Sequence, residues 1–473
     1  MSATLGVVVT LVVYQVVLLG IGVWARKSAT GNSGYFIGNR TMGPYVAALS
    51  YAAGSSSAWS ILGVSGIAFT QGLASFWLLP GTLTGHLIVW FWIAPWLQQK
   101  SHEHQWVTLS DVITWGLHPR LARLTYRLCA FVILFSFTFY VAAQFQGAAN
   151  TFSAVFEFEF LSALLLGVAV VVAYTLFGGF WAVSLTDALQ ACLMLLAALL
   201  LPLMALSAVG GLEGLTAAQA QMQDSAYWQL LGGESGWFAV GLMLGMASIG
   251  FGPIGQPHLL NRIMALAEER QIKLARRVAL SWFVIVLGGM YLLGVCAHVL
   301  LQGQVAHGEQ VFFVMAQQLL PVALTGILIA AVLSAIMSTA DSQLLVAGSA
   351  LAHDLRRDTQ TDAAHAARIS RLAVLAVALA ATGLAWGLPE SIFSRVLFAW
   401  NALGAAFGPI VVARVLRWQC RDAAIPLSLV AGFGLTVLFY SLPDGPGDLW
   451  ERAVPFVVAW LVLFLSRTST VKD

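Results

Sequence analysis

The sequence predicts an all-α membrane protein with about thirteen transmembrane helices. Hydrophobic residues make up 59% of its 473 positions and charged residues 9%, whereas a soluble globular domain carries about a quarter charged residues. Apolar stretches of about 20 residues, the length needed to cross the hydrocarbon core of a bilayer, recur along the chain. The basic residues are concentrated in alternate connecting segments, a pattern typical of multi-pass membrane proteins.

Each predicted span is an apolar stretch long enough to cross the membrane. The approximate bounds are 5–25, 43–70, 73–97, 121–149, 158–178, 183–206, 237–256, 275–301, 310–350, 370–387, 393–414, 423–441 and 450–466. The ninth stretch is longer than one crossing requires, so we expect its end to continue as a cytoplasmic helix. We interpret residues 1–473 as a single transmembrane domain.

The distribution of Lys and Arg predicts an N-terminus outside the cell and a C-terminus in the cytoplasm. In that orientation 21 of the 23 basic residues fall in cytoplasmic segments, and only Arg395 and Arg452 fall outside. No basic residue precedes the first apolar stretch, whereas Arg26 and Lys27 follow it. Because a signal peptide has the reverse order, we expect an uncleaved first helix in a bacterial inner (plasma) membrane.

Two of the 21 acidic residues, Asp187 and Asp341, lie well inside hydrophobic surroundings. A carboxylate within the membrane costs about 2.5–3.5 kcal/mol on insertion scales and usually marks a functional site. The alternative for each residue is a carboxylate that caps a helix end near the membrane surface. Ser338 and Ser342 share one helical face with Asp341, because the three residues have i, i+3, i+4 spacing.

Two predicted spans contain residues that disfavour a continuous helix. The second has a glycine and three serines at 54–57, and the seventh has three glycines and two prolines within 250–257. Serine hydroxyls compete for backbone partners, and proline removes a helix hydrogen bond. Interrupted spans five apart indicate two inverted repeats, 43–206 and 237–414, with a binding site at mid-membrane. Ordinary kinks at helix packing sites are the alternative.

Other sequence features weigh against an enzyme or a nucleic-acid-binding protein. Residues 250–255 match the spacing of a dinucleotide-binding loop, but they follow no predicted strand and include a proline. His102-Glu103-His104 lies in a predicted cytoplasmic loop and has no third metal ligand nearby. The four cysteines are scattered, which suggests neither a disulfide framework nor a zinc site. We expect no catalytic residues and no obligatory protein partner.

Several longer motifs occur in a fixed order along the chain. They are Tyr35-Phe36-Ile37-Gly38-Asn39-Arg40, Phe177-Gly178-Gly179-Phe180-Trp181-Ala182-Val183-Ser184, Gly255-Gln256-Pro257-His258, Met337-Ser338-Thr339 and Ala405-Ala406-Phe407-Gly408-Pro409. Through these motifs the chain resembles the sodium:solute symporter family, and most of all its sodium/proline symporters. The resemblance runs from about residue 35 to the last span.

This resemblance implies the LeuT-type fold, in which a 5+5 inverted repeat is preceded by one extra helix and followed by two. The extra segments here would be 1–42 and 423–473. It also implies sodium-coupled secondary active symport of a small amino acid, with proline as the first choice, into the cell. Sodium would be the coupling ion, and the organic solute and the lipid bilayer would be the other partners.

The resemblance also implies two cation sites by matching positions. The principal sodium site would use the backbone carbonyls of Ala53, Ser56 and Ala335 and the hydroxyls of Ser338 and Thr339. A second cation position would use Asp187, Ser338, Asp341 and Ser342. Asp341 is a departure, because a neutral hydroxyl residue often stands there in the family. Two carboxylates close together would share a cation or hold a proton.

The implied substrate pocket draws on three spans. Its matching positions are Ser57, Ala58, Trp59, Tyr140, Gln144, Ile249, Phe251 and Pro253. Amides freed by the unwound second span could hold a carboxylate, and apolar surfaces could enclose a small ring. Ile249 and Pro253 replace aromatic residues of the proline transporters, and Ser55 replaces an aspartate. The negative charge near the ion path would then have moved from Ser55 to Asp341.

Several alternatives to sodium/proline symport follow from these departures. Asp341 favours proton coupling as the nearest rival, and the altered pocket also suits another small amino acid or a carboxylate such as pantothenate. A membrane sensor that uses the transporter fold, or a membrane-embedded enzyme, would belong to a different class. The nine histidines are dispersed, which does not favour an enzyme. ATP-driven transport would need a P-loop, and the chain contains none.

Overall fold

The computed structural model describes residues 3–25, 37–177, 179–222, 226–301, 304–355, 363–388, 391–443 and 445–468. Within these ranges the regular structure is helical, apart from two isolated β-bridges. The residues named above that lie outside the described ranges are Arg26, Lys27, Tyr35, Phe36 and Gly178. The fold can therefore be followed from the first predicted span to the last.

The described α-helices are numbered in chain order. They are α1 (Ala3–Ala25), α2 (Pro44–Ser55), α3 (Val64–Gln71), α4 (Leu78–Ile88), α5 (Ala94–His104), α6 (Leu109–Thr114), α7 (Pro119–Phe156), α8 (Phe160–Phe177), α9 (Phe180–Val209), α10 (Gly211–Gln221), α11 (Gly236–Ser248), α12 (Pro257–Met264), α13 (Ile272–Leu301), α14 (Val311–Leu319), α15 (Val322–Ser349), α16 (Ala363–Gly387), α17 (Ile392–Val415), α18 (Ala424–Tyr440), α19 (Leu449–Arg452) and α20 (Val454–Leu465). The segments Trp59–Gly63, Val89–Ile93 and Ala350–Asp354 are π-helical turns, and Ile249–Gly255 is a 3₁₀ helix.

Eight of the described helical segments are long and apolar enough to cross a membrane, and three shorter apolar helices accompany them. The eight include α7, α9, α15 and α17. Aliphatic and aromatic side chains on many of these helices are exposed, as expected where lipid replaces water around a protein. Each predicted span falls on helical structure, which agrees with an all-α membrane protein.

The second predicted span is interrupted at the serines that suggested a break. α2 ends at Ser55, and Ser56 has extended backbone with φ −101° and ψ 90°. The Ser56 amide donates to the carbonyl oxygens of Ala52 at 3.0 Å and Ala53 at 3.1 Å. A helical turn resumes at Trp59. Backbone groups between the two halves of this span therefore lack their usual helical hydrogen-bond partners, although the residues that carry them are buried in protein.

The seventh predicted span is also interrupted, in a different way. α11 tightens into the 3₁₀ helix Ile249–Gly255, which contains Pro253, and Gln256 is extended with φ −81° and ψ 110°. Pro257 then begins α12. The glycines allow close packing here, since a Cβ atom at Gly85 of α4 would lie 2.0 Å from the Gly250 carbonyl oxygen. This break is held against its neighbours by backbone contact.

The structure corrects the interpretation of the ninth predicted span, 310–350. This stretch is two helices, α14 and α15, separated at Leu320 and Pro321. Pro321 explains the break, because proline fixes φ and lacks the amide that would continue the preceding helix. Among the residues that the structure describes, the expected extension at its end is the π-helical turn Ala350–Asp354.

A second correction concerns Arg262, one of the 21 basic residues assigned to cytoplasmic segments, which the predicted seventh span, 237–256, leaves in the loop that follows it. Arg262 lies in the short helix α12, and its side chain is 1% exposed. The hydrophobic residues of α12 are buried as well. An arginine buried to this degree requires a charged or hydrogen-bonding partner, and that partner lies in α9.

Candidate functional site

The predicted sodium ligands Ala53, Ala335, Ser338 and Thr339 converge where α2 meets α15. The Ser338 hydroxyl lies 3.2 Å from the Ala53 carbonyl oxygen and 3.3 Å from that of Ala335. The Thr339 hydroxyl lies 3.4 Å from the Ala53 carbonyl oxygen and 3.3 Å from that of Gly54. Gly54 was missed by sequence reasoning. Its carbonyl is freed by the same helix break.

Ser56, the remaining predicted sodium ligand, lies in the extended turn directly after α2. Its side-chain hydroxyl is buried and has no hydrogen-bond partner among the described residues. The last carbonyls of a helix have no intrahelical amide to bind. An oxygen-lined break of this kind suits a hard cation, since unwound backbone carbonyls are the groups that coordinate sodium in interrupted membrane helices.

Asp187 and Arg262 form a fully buried ion pair next to this cluster. Arg262 Nη2 donates to Asp187 Oδ2 at 3.1 Å, and the two side chains are 1% and 0% exposed. The same carboxylate oxygen accepts a hydrogen bond from Ser50 at 2.7 Å. Arg262 also donates to the His258 carbonyl oxygen at 2.7 Å and to Ser342. Arg262 therefore links α12 to α2, α9 and α15.

Asp341 lies beside that pair without its own counter-charge. Ser342 is its polar neighbour, and Asp187 and Arg262 lie within electrostatic range. Neither carboxylate oxygen of Asp341 accepts a well-formed hydrogen bond from the described residues, and the side chain is 0% exposed. The predicted second cation ligands Asp187, Ser338, Asp341 and Ser342 thus share one region of α9 and α15.

The donor set of this region fits a cation. Two carboxylates and one guanidinium leave one formal negative charge inside the protein. A buried carboxylate without a partner is costly, and a bound cation or a proton would neutralise it. The ligands available are oxygens, which suit hard cations such as sodium better than soft transition metals.

The predicted pocket residues of the second and fourth spans form a buried polar group. Gln144 accepts a hydrogen bond from the Ala58 amide at 3.1 Å, and Ser57 accepts one from the Trp59 amide at 3.3 Å. Ser57 and Trp59 are also the polar neighbours of the Tyr140 hydroxyl. That hydroxyl and the Trp59 indole nitrogen are buried without a well-formed hydrogen bond among the described residues. Two donors therefore remain for a polar ligand.

The predicted pocket residues of the seventh span have separate surroundings. The Ile249 carbonyl accepts a hydrogen bond from Trp400 Nε1 at 3.0 Å. Pro253 is buried, and its carbonyl accepts from the Gln256 amide at 3.5 Å. The Phe251 ring stacks on Phe456 of α20, with centroids 4.3 Å apart. The ring contact shown for Phe251 is thus with α20 and not with the Tyr140 group.

Trp400 of α17 lies between Tyr140 of α7 and the broken seventh span. Its ring lies 6.4 Å from that of Tyr140, and a Cβ atom at Gly252 would lie 1.7 Å from its indole nitrogen. Only glycine fits at position 252 for this reason. Trp400 was missed by sequence reasoning, because an isolated tryptophan in an apolar helix gives no signal of what it contacts.

A cavity of about 1030 Å³ leads towards the pocket from the side that the predicted topology places outside. Its polar lining includes Gln71, Gln146 and Asn150. Phe393 lines this cavity and packs edge-on against Trp59, with ring centroids 6.2 Å apart. Trp59 and Phe393 therefore separate the cavity from the buried polar group.

The segment before α14 is attached to the start of α17 by Glu309. The Glu309 carboxylate accepts a hydrogen bond from the Ile392 amide at 2.7 Å and also binds the Phe393 amide. Burial raises the pKa of Glu309, and the two amides, together with nearby His307 and Arg395, oppose that rise. A carboxylate at the start of α17 is favoured by the unpaired amides and dipole of the helix.

On the opposite side of the protein, backbone pairing joins the segment before α2 to the segment after α12. The Met42 amide donates to the Ala265 carbonyl oxygen at 3.1 Å, and the Ala267 amide donates to that of Met42 at 3.1 Å. The carbonyl oxygen of Leu266 accepts from Gln98 at 3.3 Å. The start of α2 is thereby tied to the end of α12.

Solved structures of membrane transporters share this architecture. A Na⁺-coupled sialic acid symporter in a substrate-bound outward-open state matches with a TM-score of 0.82, covering 97% of each chain at 14% identity. The nucleobase-cation-symport-1 family transporter Mhp1 matches with a TM-score of 0.58, covering 93% of this chain and 96% of the other at 13% identity. The fold is therefore the predicted LeuT-type fold.

Comparison of sequences gives the family. The pattern of the sodium:solute symporter family matches residues 35–421. The high-affinity proline transporter PutP of Bacillus subtilis (strain 168) is 34% identical over 466 residues, or 96% of each chain. The sodium/proline symporter of Escherichia coli (strain K12) is 34% identical over 456 residues, covering 93% of this chain and 88% of the other. The chain belongs to the sodium:solute symporter family, as the sequence motifs predicted.

Proposed function

We propose that this protein is a sodium-coupled symporter that moves proline into the cell. The observation that carries the proposal is the placement of the Ser338 and Thr339 hydroxyls on the carbonyls of Ala53 and Gly54. A sodium ion at this contact would hold the broken second span against α15. The curated relatives that are named for proline transport are about a third identical over nearly the whole chain.

Coupling between sodium and solute follows because both would bind to neighbouring parts of the same interrupted span. The sodium carbonyls come from the end of α2, and the pocket group at Ser57, Ala58 and Trp59 follows directly. An ion that orders the break also orders the amides beyond it. Ion and solute then favour each other's binding, and this coupling must be reciprocal.

The solute pocket suits a small amino acid with a compact apolar part. The Trp59 indole N–H and the Tyr140 hydroxyl are buried donors without well-formed partners among the described residues, and they could hold a carboxylate. The rings of Trp59, Tyr140 and Trp400 could enclose a pyrrolidine ring. Buried polar groups that are paired only when the correct ligand is present give strong discrimination between substrates.

A second cation is part of this proposal. Asp341 carries the uncompensated charge, and Asp187, Ser338 and Ser342 lie in the same region. A second sodium ion would neutralise Asp341 without disturbing the Arg262–Asp187 pair. A proton on Asp341 is the competing interpretation, and it would make uptake depend on a pH gradient in place of part of the sodium gradient.

The protein would lie in a bacterial plasma membrane with its N-terminus outside. The distribution of basic residues supports this orientation. In this orientation the cavity of about 1030 Å³ faces outward, and the backbone pairing at Met42 joins two segments on the inner side. The described structure would then be a state that receives sodium and solute from outside.

Uptake into proteoliposomes tests the proposal. We expect radiolabelled proline to accumulate against its gradient when sodium is high outside, and not when choline replaces sodium or when the sodium gradient is collapsed. A panel that includes other small amino acids and pantothenate would identify a different solute. Sodium-independent accumulation driven by a pH gradient would overturn sodium coupling, and accumulation of another solute alone would overturn proline as the substrate.

A further inference from the structure

Helices α9 and α15 are connected at two levels within the protein. At one level Asp187 Oδ2 lies 3.5 Å from the Ser342 hydroxyl. At the other, Gln190 Nε2 donates to the Tyr14 hydroxyl at 3.2 Å, and that hydroxyl lies 2.8 Å from the Ser334 hydroxyl. Tyr14 belongs to α1, which lies outside the predicted 5+5 core. The first helix thus joins α9 to α15.

Asp341 lies on α15 between these two levels. Ser334, Ser338 and Asp341 are spaced by four and three residues, so they share one helical face. On α9, Asp187 and Gln190 are likewise three residues apart and share a face. Both Asp187 and Asp341 are within electrostatic range of the Tyr14 hydroxyl. The interval between the two connections therefore contains the uncompensated carboxylate.

The oxygens in this interval are acceptors without donors. Both carboxylate oxygens of Asp341, Asp187 Oδ1 and the amide oxygen of Gln190 lack a well-formed hydrogen bond from the described residues. All three side chains are 0% exposed. The hydrogen bond from the Gln190 amide nitrogen to Tyr14 fixes the orientation of the Gln190 side chain. The oxygen of the same amide group is therefore also held in one position, without a hydrogen bond of its own from the described residues. Acceptor oxygens around a net negative charge are what a bound cation requires.

We propose that Gln190 and Tyr14 complete the cation site at Asp341. Gln190 supplies its amide oxygen as a neutral ligand. Tyr14 is a positioning residue that sets the orientation of that amide from the first helix. This inference rests on the proposed second cation site, and it makes α1 part of the ion-binding machinery. It also gives a role to Gln190 and Tyr14, neither of which belongs to the sequence motifs that carry the family resemblance.

Equilibrium binding of ²²Na⁺ to the purified full-length protein, without organic solute, tests this inference. We expect Gln190→Leu to weaken sodium binding at one site by about tenfold or more, equivalent to about 1.4 kcal/mol per tenfold change. Tyr14→Phe, which removes only the hydroxyl, should weaken it about three- to tenfold by the same relation. Gln190→Glu keeps an oxygen in place and should retain binding. Tyr227→Phe is the matched control, because this substitution also removes a buried tyrosine hydroxyl. The Tyr227 hydroxyl donates to the Ala68 carbonyl oxygen at 2.7 Å.

The outcomes separate this inference from the proposal on which it rests. If Asp341→Asn leaves the number of bound sodium ions and their affinities unchanged, the second sodium site itself is wrong. If Asp341→Asn abolishes one site while Gln190→Leu and Tyr14→Phe bind sodium like the wild type, only the role of Gln190 and Tyr14 is wrong. Elution of each variant as a single monodisperse peak, with binding retained at the principal site, shows that it is folded.

Discussion

Arg262 Nη2 lies 3.1 Å from Asp187 Oδ2, and neither side chain is accessible to solvent. This ion pair joins the short helix after the seventh-span break to α9, next to the carbonyls and hydroxyls of the proposed sodium site. It means that Asp187 is already neutralised by a protein charge, while Asp341 is not. The two carboxylates therefore have different surroundings, although they look alike in the sequence.

Breaking this pair should destabilise the protein, and removing both partners should restore much of the loss. Removing one partner of a buried pair costs about 3–5 kcal/mol, because the other charge is left without compensation. We therefore expect Asp187→Asn and Arg262→Gln each to lower the unfolding temperature in detergent, and the double variant to recover at least half of the larger decrease. Strictly additive decreases would mean that the two residues do not interact energetically.

Loss of the hydroxyls at the principal sodium site should raise the sodium requirement. We expect Ser338→Ala and Thr339→Ala to increase the sodium concentration for half-maximal uptake by about tenfold, which corresponds to about 1.4 kcal/mol of ion binding. Ser349→Ala is the control, because Ser349 lies on the same helix and its hydroxyl binds the Val346 carbonyl of its own helix. A sodium dependence equal to that of the control would remove these hydroxyls from the site.

The charge at Asp341 is expected to substitute for the aspartate that the related proline symporters carry where this chain has Ser55. Asp341→Asn should change the sodium stoichiometry or the pH profile of uptake, since the site then loses its uncompensated charge. Adding Ser55→Asp should return the behaviour at least partly towards that of the wild type. The measurement is the ratio of sodium to solute flux in proteoliposomes. Equal flux ratios together with the same pH profile of uptake in the wild type and the Asp341→Asn protein would exclude Asp341 from the mechanism.

Gln144 should control solute affinity through the broken span. Its oxygen accepts from the Ala58 amide at 3.1 Å, so Gln144→Leu leaves a buried donor unpaired at a cost of about 1–3 kcal/mol. We expect Gln144→Leu to raise the KM for the solute about tenfold or more, and Gln144→Glu to raise it less. Thr138→Val on the same helix is the control, since its hydroxyl donates to the Leu134 carbonyl of that helix. An unchanged KM in Gln144→Leu would place the solute elsewhere.

Glu309 should make access to the pocket sensitive to external pH. The carboxylate binds the amides of Ile392 and Phe393, and Phe393 covers Trp59. Burial raises the pKa of Glu309, so the contact favours the protonated acid over the carboxylate more than an exposed site does. The contact is therefore strongest below the pKa of an ordinary exposed carboxyl group, and it weakens as the pH rises through the raised pKa. Glu309→Gln mimics the neutral acid at every pH.

Thiol labelling from outside measures this effect. In a background lacking the natural cysteines, Ser57→Cys lies beyond the Trp59–Phe393 contact. We expect Glu309→Gln to slow its labelling about three- to tenfold at neutral pH, or about 0.7–1.4 kcal/mol, and the ratio of the two rates to approach one in acid. Comparing the two proteins at each pH cancels the titration of the thiol. Gln310→Ala is the control, and a ratio that does not change with pH would exclude Glu309 as the sensitive group.

Much of this fold can be predicted from residues that are close in the sequence. The lengths of the apolar stretches predict the helices, and the serines at 55–57 and the prolines at 253 and 257 predict the breaks, because these are local properties of the backbone. The break at Pro321 was also visible in the sequence, but the surrounding apolar run was interpreted as one long span. The motifs predicted the family, which the comparison with known sequences confirms.

The sequence by itself determined that lipid surrounds most of this protein and where its helices break. It also identified Asp187 and Asp341 as the two carboxylates that lie in apolar segments, where a charge is costly. Only the tertiary structure decided which carboxylate is neutralised. Arg262 lies 75 positions from Asp187, and Tyr14 lies 320 positions from Ser334. A charge in an apolar segment reveals that a partner is needed, but the identity of that partner depends on which helices pack together. Packing of distant helices is a property of the whole chain, and no local pattern records it.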